Sequence, residues 1–507
     1  MNLNSDIEQF DVQAVNNKTK LFEATGKIYP KRVEGKFRQL KWLIMFVTLG
    51  IYYITPWLRW DRGEFAPDQA VLVDLAHRRF YFFFIEIWPQ EFFYVAGLLI
   101  MAGLGLFLVT SVWGRAWCGY ACPQTVWVDL FLVVERAVEG DRNARIKLDK
   151  APLDISKLLK KSIKHLIWLL IAFSTGGAWI FYFADAPALL IDFFTLQASS
   201  IAYMTVLILT ATTYLLGGFM REQVCTYMCP WPRIQAAMLD EDSLVVTYND
   251  YRGEPRGSHQ KKLTDSSLPG TLELGDCIDC NKCVAVCPMG IDIRDGQQME
   301  CITCALCIDA CDSVMEKTGK PTGLISYATL RDYDLAAAGK APPRSVPILL
   351  RPRTIIYSFI WCAIGLLMLF VLANRSRLDV NVLHDRNPIA VQLADGSVRN
   401  GYTVKILNMV PQKLMARFSI EGLPGGQMRT NQQDGLVTGN GETMSFELAP
   451  DQLKVLKVFV TMPANSLPKQ TQTFQFVAEI PSRGERRVTE TNFIMRKEQV
   501  LHGDHEN

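Results

Sequence analysis

The sequence predicts a multi-domain membrane protein. We expect an α-helical bundle of about five transmembrane helices, a cytoplasmic two-cluster ferredoxin-like insert of the α+β type, and a C-terminal, extracytoplasmic all-β sandwich. Three observations support this. Five charge-free apolar runs approach or exceed the ~20 residues that cross a bilayer as a helix. Eight cysteines follow ferredoxin spacing. The C-terminal part alternates polar and apolar residues between turn signals.

The apolar runs are the first element to justify. They are Trp42–Leu58, Phe92–Gly114, Leu166–Ala184, Phe193–Met220 and Thr354–Asn374. A single run of this kind could be a buried helix of a soluble protein, but five in one chain favour insertion into a lipid bilayer. The sequence therefore predicts a multi-pass membrane protein.

Lysine and arginine predict the topology. They crowd the N-terminal tail and the segment after the second run, whereas the connection between the third and fourth runs carries Asp185 and Asp192 and neither basic residue. By the positive-inside rule the N-terminus and the loop 221–353 are cytoplasmic, and the residues after Asn374 are periplasmic. The predicted domains are a tail 1–41, a four-helix membrane region 42–240, a ferredoxin-type domain 241–353, a fifth helix 354–374 and a β-sandwich 375–507.

Eight of the 13 cysteines form the strongest motif. Two runs of the form Cys-x2-Cys-x2-Cys-x3-Cys follow each other closely, and in such runs the fourth cysteine usually ligates the other 4Fe–4S cluster. Zinc sites use two-plus-two spacing instead. The predicted ligands of the first cluster are Cys277, Cys280, Cys283 and Cys311. The predicted ligands of the second cluster are Cys287, Cys301, Cys304 and Cys307.

A second cysteine motif occurs twice, each time after a predicted transmembrane run. The sequence Cys-x-Tyr-x-Cys-Pro contains Cys118 and Cys122 in the first copy and Cys225 and Cys229 in the second. Cysteines four apart share one face of an α-helix. We therefore expect four soft thiolates to converge at the cytoplasmic ends of these helices, where they suit copper(I), zinc or an iron–sulfur centre. A purely structural role in packing helix ends is the alternative.

Other features narrow the function. A net charge of +2 argues against nucleic-acid binding. Histidine pairs within the spans and a GxGxxG unit are both missing, which argues against a transmembrane haem pair and a dinucleotide domain. The aromatic segment from Arg78 to Pro89 is amphipathic and predicts an interfacial or re-entrant helix.

The chain resembles the FixG/CcoG-type family of cytochrome c oxidase accessory proteins. The resemblance is carried by Trp117-Cys-Gly-Tyr-Ala-Cys-Pro-Gln-Thr125, Asp276-Cys-Ile-Asp-Cys-Asn-Lys-Cys283, Cys301-Ile-Thr-Cys-Ala-Leu-Cys-Ile-Asp-Ala-Cys-Asp312 and Gly319-Lys-Pro-Thr-Gly-Leu-Ile-Ser-Tyr327. It extends over most of the chain and implies a multi-pass protein of the bacterial inner membrane, with five spans and an outer immunoglobulin-like domain. NapH-like and NosR-like membrane ferredoxins share the paired Cys-x3-Cys-Pro motif.

The resemblance implies a cupric reductase that converts Cu(II) to Cu(I) during assembly of the cbb-type oxidase. Copper would then be handled at Cys118, Cys122, Cys225 and Cys229. The implied partners are copper ions, copper chaperones or transporters and the oxidase assembly machinery. A quinol-linked respiratory electron conduit and a redox-sensing assembly scaffold stay open as alternatives. The sequence leaves the electron donor open, and also whether the protein forms a homodimer.

Overall fold

A computed structural model of the chain describes residues 26–63, 66–257, 274–340, 350–410, 412–430, 441, 443–468 and 471–495. These residues form two compact units. The first unit consists of the described parts of Met1–Tyr53, Ala102–Trp179 and Ser199–Trp361. The second unit consists of the described parts of Ile54–Met101, Ile180–Ala198 and Cys362–Asn507.

Five helices among the described residues are long and apolar enough to cross a membrane, which confirms the predicted number. They are Lys36–Trp57, Pro89–Trp113, Ile155–Ile180, Ser200–Met228 and Pro352–Ala373. Their outward side chains include Leu99 and Phe359, which are 69% and 72% exposed. Large exposed apolar patches mark contacts with a membrane or with another protein, and the length and apolar composition of these helices favour a membrane.

The α-helices that precede the ferredoxin part lie mainly in the first unit. Their bounds are α1 Lys36–Ile54, α2 Phe93–Trp113, α3 Pro123–Glu139, α4 Arg142–Lys150, α5 Ile155–Ile180, α6 Ala186–Phe194, α7 Ser200–Thr213, α8 Arg221–Gln223 and α9 Trp231–Met238; α6 belongs to the second unit, and α2 has residues in both. Buried ion pairs fasten these helices together. Arg38 of α1 lies 2.8 Å from Asp129 of α3, and Arg145 of α4 lies 2.8 Å from Glu135 of α3.

The ferredoxin part of the first unit is built from helices α10 Asp250–Gly253, α11 Lys282–Val286, α12 Leu306–Thr318 and α13 Leu330–Ala337. Another helix, α14 Pro352–Ala373, begins in this unit and continues into the second. Strands β4 Val245–Tyr248 and β5 Ile325–Ala328 pair antiparallel, with Val245 opposite Ala328. Strand β4 precedes the two cysteine runs and β5 follows them, so their pairing joins the two ends of the ferredoxin part, as expected for an α+β insert.

The aromatic segment before the second span is not the helix that the sequence suggested. In the second unit it forms an antiparallel sheet of β1 Val71–Asp74, β2 Arg79–Phe82 and β3 Ile85–Ile87. Phenylalanine and tyrosine favour strands as well as interfacial helices. The connection at His77 and Arg78 tightens into a turn in which Asp74 accepts hydrogen bonds from the backbone and ring of His77. Local turn chemistry therefore outweighed the amphipathic pattern.

The C-terminal part is a two-sheet sandwich, as predicted. Its strands are β6 Leu378–His384, β7 Ala390–Gln392, β8 Val398–Asn408, β9 Leu414–Glu421, β10 Gln427–Thr430, β11 Thr443–Leu448, β12 Leu453–Met462, β13 Gln472–Ile480 and β14 Glu485–Phe493. Among the described residues one sheet has the order β10-β12-β8-β6, with β7 beside β8, and the other has the order β11-β9-β13-β14. Tyr402, Phe418, Phe474 and Phe476 fill the core between the sheets.

Candidate redox site

The two ferredoxin runs adopt the same backbone conformation around their middle cysteine. Cys280 is flanked by Asp279 and Asn281, and Cys304 by Thr303 and Ala305, and all four flanking residues have a positive φ between 54° and 58°. Alternating left-handed residues turn successive N–H groups to one side and form concavities that bind anions, including iron–sulfur clusters. The loops therefore fit the group that their spacing predicts.

The predicted ligand sets are also neighbours in space. Cys311 interacts electrostatically with Cys283, Cys280 and Cys277. Cys307 interacts with Cys304, Cys301 and Cys287, and more weakly with Cys283, so the two sets lie next to each other.

The four cysteines of the second set line one cavity. Cys287, Cys301, Cys304 and Cys307 line one enclosed space, together with Cys283 of the first set. Four soft donors around one cavity are the ligand set that a cubane cluster needs. The assignment of each ligand stays a prediction, to be tested by iron content.

Burial keeps the uncoordinated thiols protonated. It raises the pKa of Cys283 to about 11 and the pKa values of Cys287 and Cys311 to about 12, and it raises that of Cys307 as well. Thiolates, not thiols, ligate metals. Cluster assembly must therefore release protons from these side chains.

The Cys-x3-Cys-Pro motifs do not form the α-helical turn expected from their spacing. Each forms a wider turn, Trp117–Ala121 and Val224–Met228, in which the second cysteine donates its N–H to the carbonyl five residues earlier. The Cys122 bond is 2.9 Å long and the Cys229 bond is 2.8 Å long. The proline that follows has no N–H and cannot extend the helix. Wide helical turns of this type are frequent at functional sites.

The structure nevertheless brings the two motifs together. Cys118 interacts electrostatically with Cys122, Cys225 and Cys229, and Cys225 interacts with Cys122 and Cys229. Burial raises the pKa of Cys118 to about 12, against a lowering effect of Arg115. Within the described ranges no three Cys, His, Asp or Glu side chains are close enough to hold a single metal ion. We call Cys118, Cys122, Cys225 and Cys229 the four-thiol site.

The four-thiol site packs directly on the second ferredoxin set. Gly119 lies so close to the loop 302–304 that a Cβ on it would be 2.7 Å from the carbonyl oxygen of Ile302 and 3.1 Å from the nitrogen of Cys304. Cys118 and Cys304 belong to the same buried apolar cluster, and Cys225 and Cys287 pack against it. The two cysteine sites therefore share a dry interface.

Sequence reasoning missed the polar groups that position this site. Gln235 of α9 is fully buried, and its side-chain oxygen accepts a hydrogen bond of 2.9 Å from the thiol of Cys118. Its amide nitrogen donates to Thr110, whose own hydroxyl donates to the backbone of Leu106. No sequence pattern distinguishes Gln235 from Arg233, which lies two residues earlier on the same helix.

Two models of iron–sulfur domains match segments of the chain that contain the cysteine motifs. A model of a 4Fe-4S dicluster domain matches residues 220–330, and a model of a 4Fe-4S binding domain matches residues 95–138. The first match contains the eight ferredoxin cysteines with Cys225 and Cys229, and the second contains Cys118 and Cys122. A model of the IG-like fold at the C-terminal of FixG matches residues 368–496.

Three curated relatives are similar over most of the chain. The nitrogen fixation protein FixG of Rhizobium meliloti is 59% identical over 505 residues, which is 95% of each chain. Protein RdxB of Cereibacter sphaeroides is 60% identical over 76% of this chain and 80% of its own. Protein RdxA of the same organism is 49% identical over 88% of this chain and 92% of its own.

Proposed function

Because the chain belongs to the FixG family of membrane-type iron–sulfur redox proteins, we propose that it is a cupric reductase that acts in assembly of the cbb-type cytochrome c oxidase. Family membership supports electron transfer in general. The choice of Cu(II) as the acceptor is our proposal. Its substrate would be Cu(II) ions, and its product Cu(I) would pass to copper chaperones or transporters and from there to the oxidase.

One observation carries this proposal: the four-thiol site lies against the loop of Cys304, with no room for a side chain between them. Electron transfer needs a short path through packed atoms, and the contact between Gly119 and the Cys304 backbone provides one. When bound, the clusters would supply electrons singly, so that one electron lost by a cluster converts one Cu(II) to one Cu(I).

The donor set of the four-thiol site suits the product of this reaction. Thiolate sulfur is a soft ligand that prefers Cu(I), so binding at Cys118, Cys122, Cys225 and Cys229 favours the reduced metal. Gln235 holds Cys118 in place, and the apolar surroundings of Cys118 exclude water. No proton is consumed when Cu(II) gains an electron.

We also propose that these sites face the cytoplasm. The basic residues near α1 and α4 support this orientation through the positive-inside rule. Reporter fusions at Gly319 should then read as cytoplasmic, and fusions at Asp185 and after Gly401 as periplasmic. A periplasmic signal at Gly319 would put the ferredoxin cysteines in an oxidising compartment and refute the orientation.

The direct test is to mix the anaerobically reduced protein with Cu(II). We expect one Cu(I), trapped by a Cu(I)-specific chelator, for each electron that leaves the protein, with a matching rise in oxidised-cluster absorbance. The oxidised protein is the control and should form no Cu(I). Slow, non-stoichiometric reduction equal to that of free thiols in the unfolded chain would contradict the proposal.

A second candidate function is a quinol-linked electron conduit, which a cavity of the first unit favours. The cavity has a volume of about 440 Å³, is almost entirely apolar, and is lined by the membrane-spanning helices α1 and α2 and by Trp117, Tyr120 and Tyr327. The Tyr327 hydroxyl donates a 2.7 Å hydrogen bond to the carbonyl of Thr303, beside Cys304. A membrane quinol bound there would reach the second cysteine set.

In this candidate a quinol would lose two electrons and release two protons to water, leaving a quinone. Leu40 lines the cavity, whereas Leu43 on the same helix is exposed and does not. A soluble quinol should therefore bleach the clusters of the Leu43→Trp variant and not those of Leu40→Trp. If quinol reduces neither these variants nor the unmodified protein, the candidate fails.

A further inference from the structure

An arginine precedes each Cys-x3-Cys-Pro motif, but the two arginines have different surroundings. Arg221, before the second motif, lies 3.0 Å from Glu135 and donates a 2.8 Å hydrogen bond to the carbonyl of Gly218. Its charge is therefore compensated by a carboxylate. Arg115, before the first motif, makes no ion pair with a carboxylate among the described residues. The repeat in the sequence is thus broken at this position in the structure.

Arg115 is a buried charge without an acidic partner. It is 4% exposed, and its Nη1 donates a 2.5 Å hydrogen bond to the carbonyl of Met299. Its Nε is buried and has no hydrogen-bond partner within the described part of the chain. A buried guanidinium is costly unless negative charge compensates it. The structure therefore calls for an anionic group next to Arg115.

The groups that face Arg115 are thiols from both cysteine sites. Arg115 interacts electrostatically with Cys118 and Cys225 of the four-thiol site. It also interacts with Cys301 of the second ferredoxin set. When these cysteines ligate a metal or a cluster they are thiolates, and the sites become anionic. The thiolates of both cysteine sites then supply the negative charge that compensates Arg115.

We propose that Arg115 is a positioning residue that stabilises negative charge on both cysteine sites and so raises the reduction potential of the centre held by Cys287, Cys301, Cys304 and Cys307. Reduction adds one negative charge to such a centre, and a nearby positive charge in a medium of low dielectric constant favours the reduced state. The same charge strengthens metal binding at the four-thiol site, and only this copper part depends on the proposed function.

The chain offers a matched control for this proposal. Arg294 interacts electrostatically with Cys283 of the first ferredoxin set, and it also pairs with Asp279 and Asp292. Removing its charge should therefore affect the first centre. Each arginine is expected to influence the centre that it contacts and to leave the other nearly unchanged, because interactions between charges decline with distance.

The test is a redox titration of full-length Arg115→Gln, Arg115→Lys and Arg294→Gln, with both centres followed by electron paramagnetic resonance. In Arg115→Gln the midpoint potential of the second centre should become more negative while that of the first stays the same. In Arg294→Gln the pattern should be reversed. Arg115→Lys keeps the charge and should retain a potential closer to the unmodified value.

Unchanged potentials in an Arg115→Gln variant with full iron content would overturn the proposal. If Arg115→Gln loses iron, the iron content of Arg115→Lys distinguishes the two explanations. Retention of iron in Arg115→Lys supports a role of the positive charge. Loss of iron in Arg115→Lys shows that the hydrogen bond to Met299 is the essential contact and overturns the proposal. Competition with a Cu(I) chelator adds a separate readout, in which Arg115→Gln should bind copper more weakly. If the unmodified protein binds no copper, the proposed function fails, but the shift of potential still tests Arg115.

Discussion

Substituting alanine for Gly119 perturbs the contact between the four-thiol site and the second ferredoxin set. The new Cβ would lie 2.7 Å from the Ile302 carbonyl oxygen, whereas ordinary contact begins at 3.4 Å, so the two segments must separate by about 0.7 Å. The atoms on the far side are backbone, which cannot rotate away as a flexible side chain could. Overpacking of this kind costs about 1–3 kcal/mol of stability.

The Gly119→Ala variant should fold and bind iron but transfer electrons to copper more slowly. None of the twelve predicted ligands changes, and Gly119 does not have a positive φ, so alanine is tolerated by the backbone itself. The expected defect is therefore in the rate and not in the stoichiometry of Cu(I) formation. Gly177→Ala is the control, since a Cβ there meets no atom within 4 Å.

The assay is anaerobic stopped-flow mixing of the reduced variants with Cu(II), with the cluster absorbance as the signal and iron content measured in parallel. Gly177→Ala should match the unmodified protein, and Gly119→Ala should be slower at equal iron content. Equal rates in both variants would show that electrons do not cross at Gly119. Loss of half of the iron in Gly119→Ala would show that this contact holds the cluster in place and does not set the rate.

Three further predictions concern ligands, stability and pH. Cys280→Ser and Cys304→Ser should each reduce the iron content from about eight to about four atoms, because each removes a ligand of a different cluster. Unchanged iron content in either variant would refute the assignment of that cysteine as a ligand. Asp129→Ala should lower the free energy of unfolding by about 3–5 kcal/mol, since it leaves Arg38 and Lys41 buried without their partner. Glu421→Ala, which breaks an exposed ion pair, is the control and should leave the free energy of unfolding nearly unchanged. Burial, followed by repulsion from Asp451, raises the pKa of Glu86 from 4.5 to about 7. Between these two pH values the folded protein holds a proton that the unfolded chain has lost, so stability should fall as pH rises from 4.5 to 7 and level off above pH 7. Thermal unfolding of Glu86→Gln should lack this pH dependence. An unchanged pH profile in this variant would rule out Glu86 as the source of the dependence.

The elements that could be predicted from the sequence are those fixed by short-range patterns. The five apolar runs correspond to five helices among the described residues that are long and apolar enough to cross a membrane, and the alternating residues with turn signals correspond to the β-sandwich. The ferredoxin runs were recognisable because cluster ligation fixes their spacing, and the family comparison confirms their iron–sulfur character. Each of these signals can be recognised within short segments of the chain, without knowledge of which distant residues meet in the fold.

Features that depend on distant partners were not predictable. The segment from Arg78 to Pro89 was expected to be an interfacial or re-entrant helix, but it contains strands β2 and β3, which pair with each other, and β2 also pairs with β1. Arg115 and Arg221 each lie shortly before one copy of the motif, yet among the described residues only Arg221 pairs with a carboxylate, and that carboxylate, Glu135, comes from another helix. Which arginine is compensated depends on packing, and the repeat itself carries no information about it.

The four-thiol site combines a feature that could be predicted from the sequence with one that could not. The sequence predicted that Cys118, Cys122, Cys225 and Cys229 converge. In the structure these four side chains lie near one another. The local geometry of the site was not predicted, because the expected α-helical turn is a wider turn closed by Cys122 and Cys229. A proline after each motif signals the end of a helix but does not specify the width of its last turn. The metal that these thiols bind stays a prediction.

The measurement that tests the central claim most directly is the metal content and copper reactivity of the Cys118→Ser, Cys225→Ser double variant. Our account predicts that it keeps about eight iron atoms and both ferredoxin signals, binds less copper, and forms Cu(I) more slowly than the unmodified protein. Unchanged copper binding and reduction would show that the four-thiol site is structural. Loss of iron would show that these cysteines hold an iron–sulfur centre of their own, and copper would then have to be reduced elsewhere.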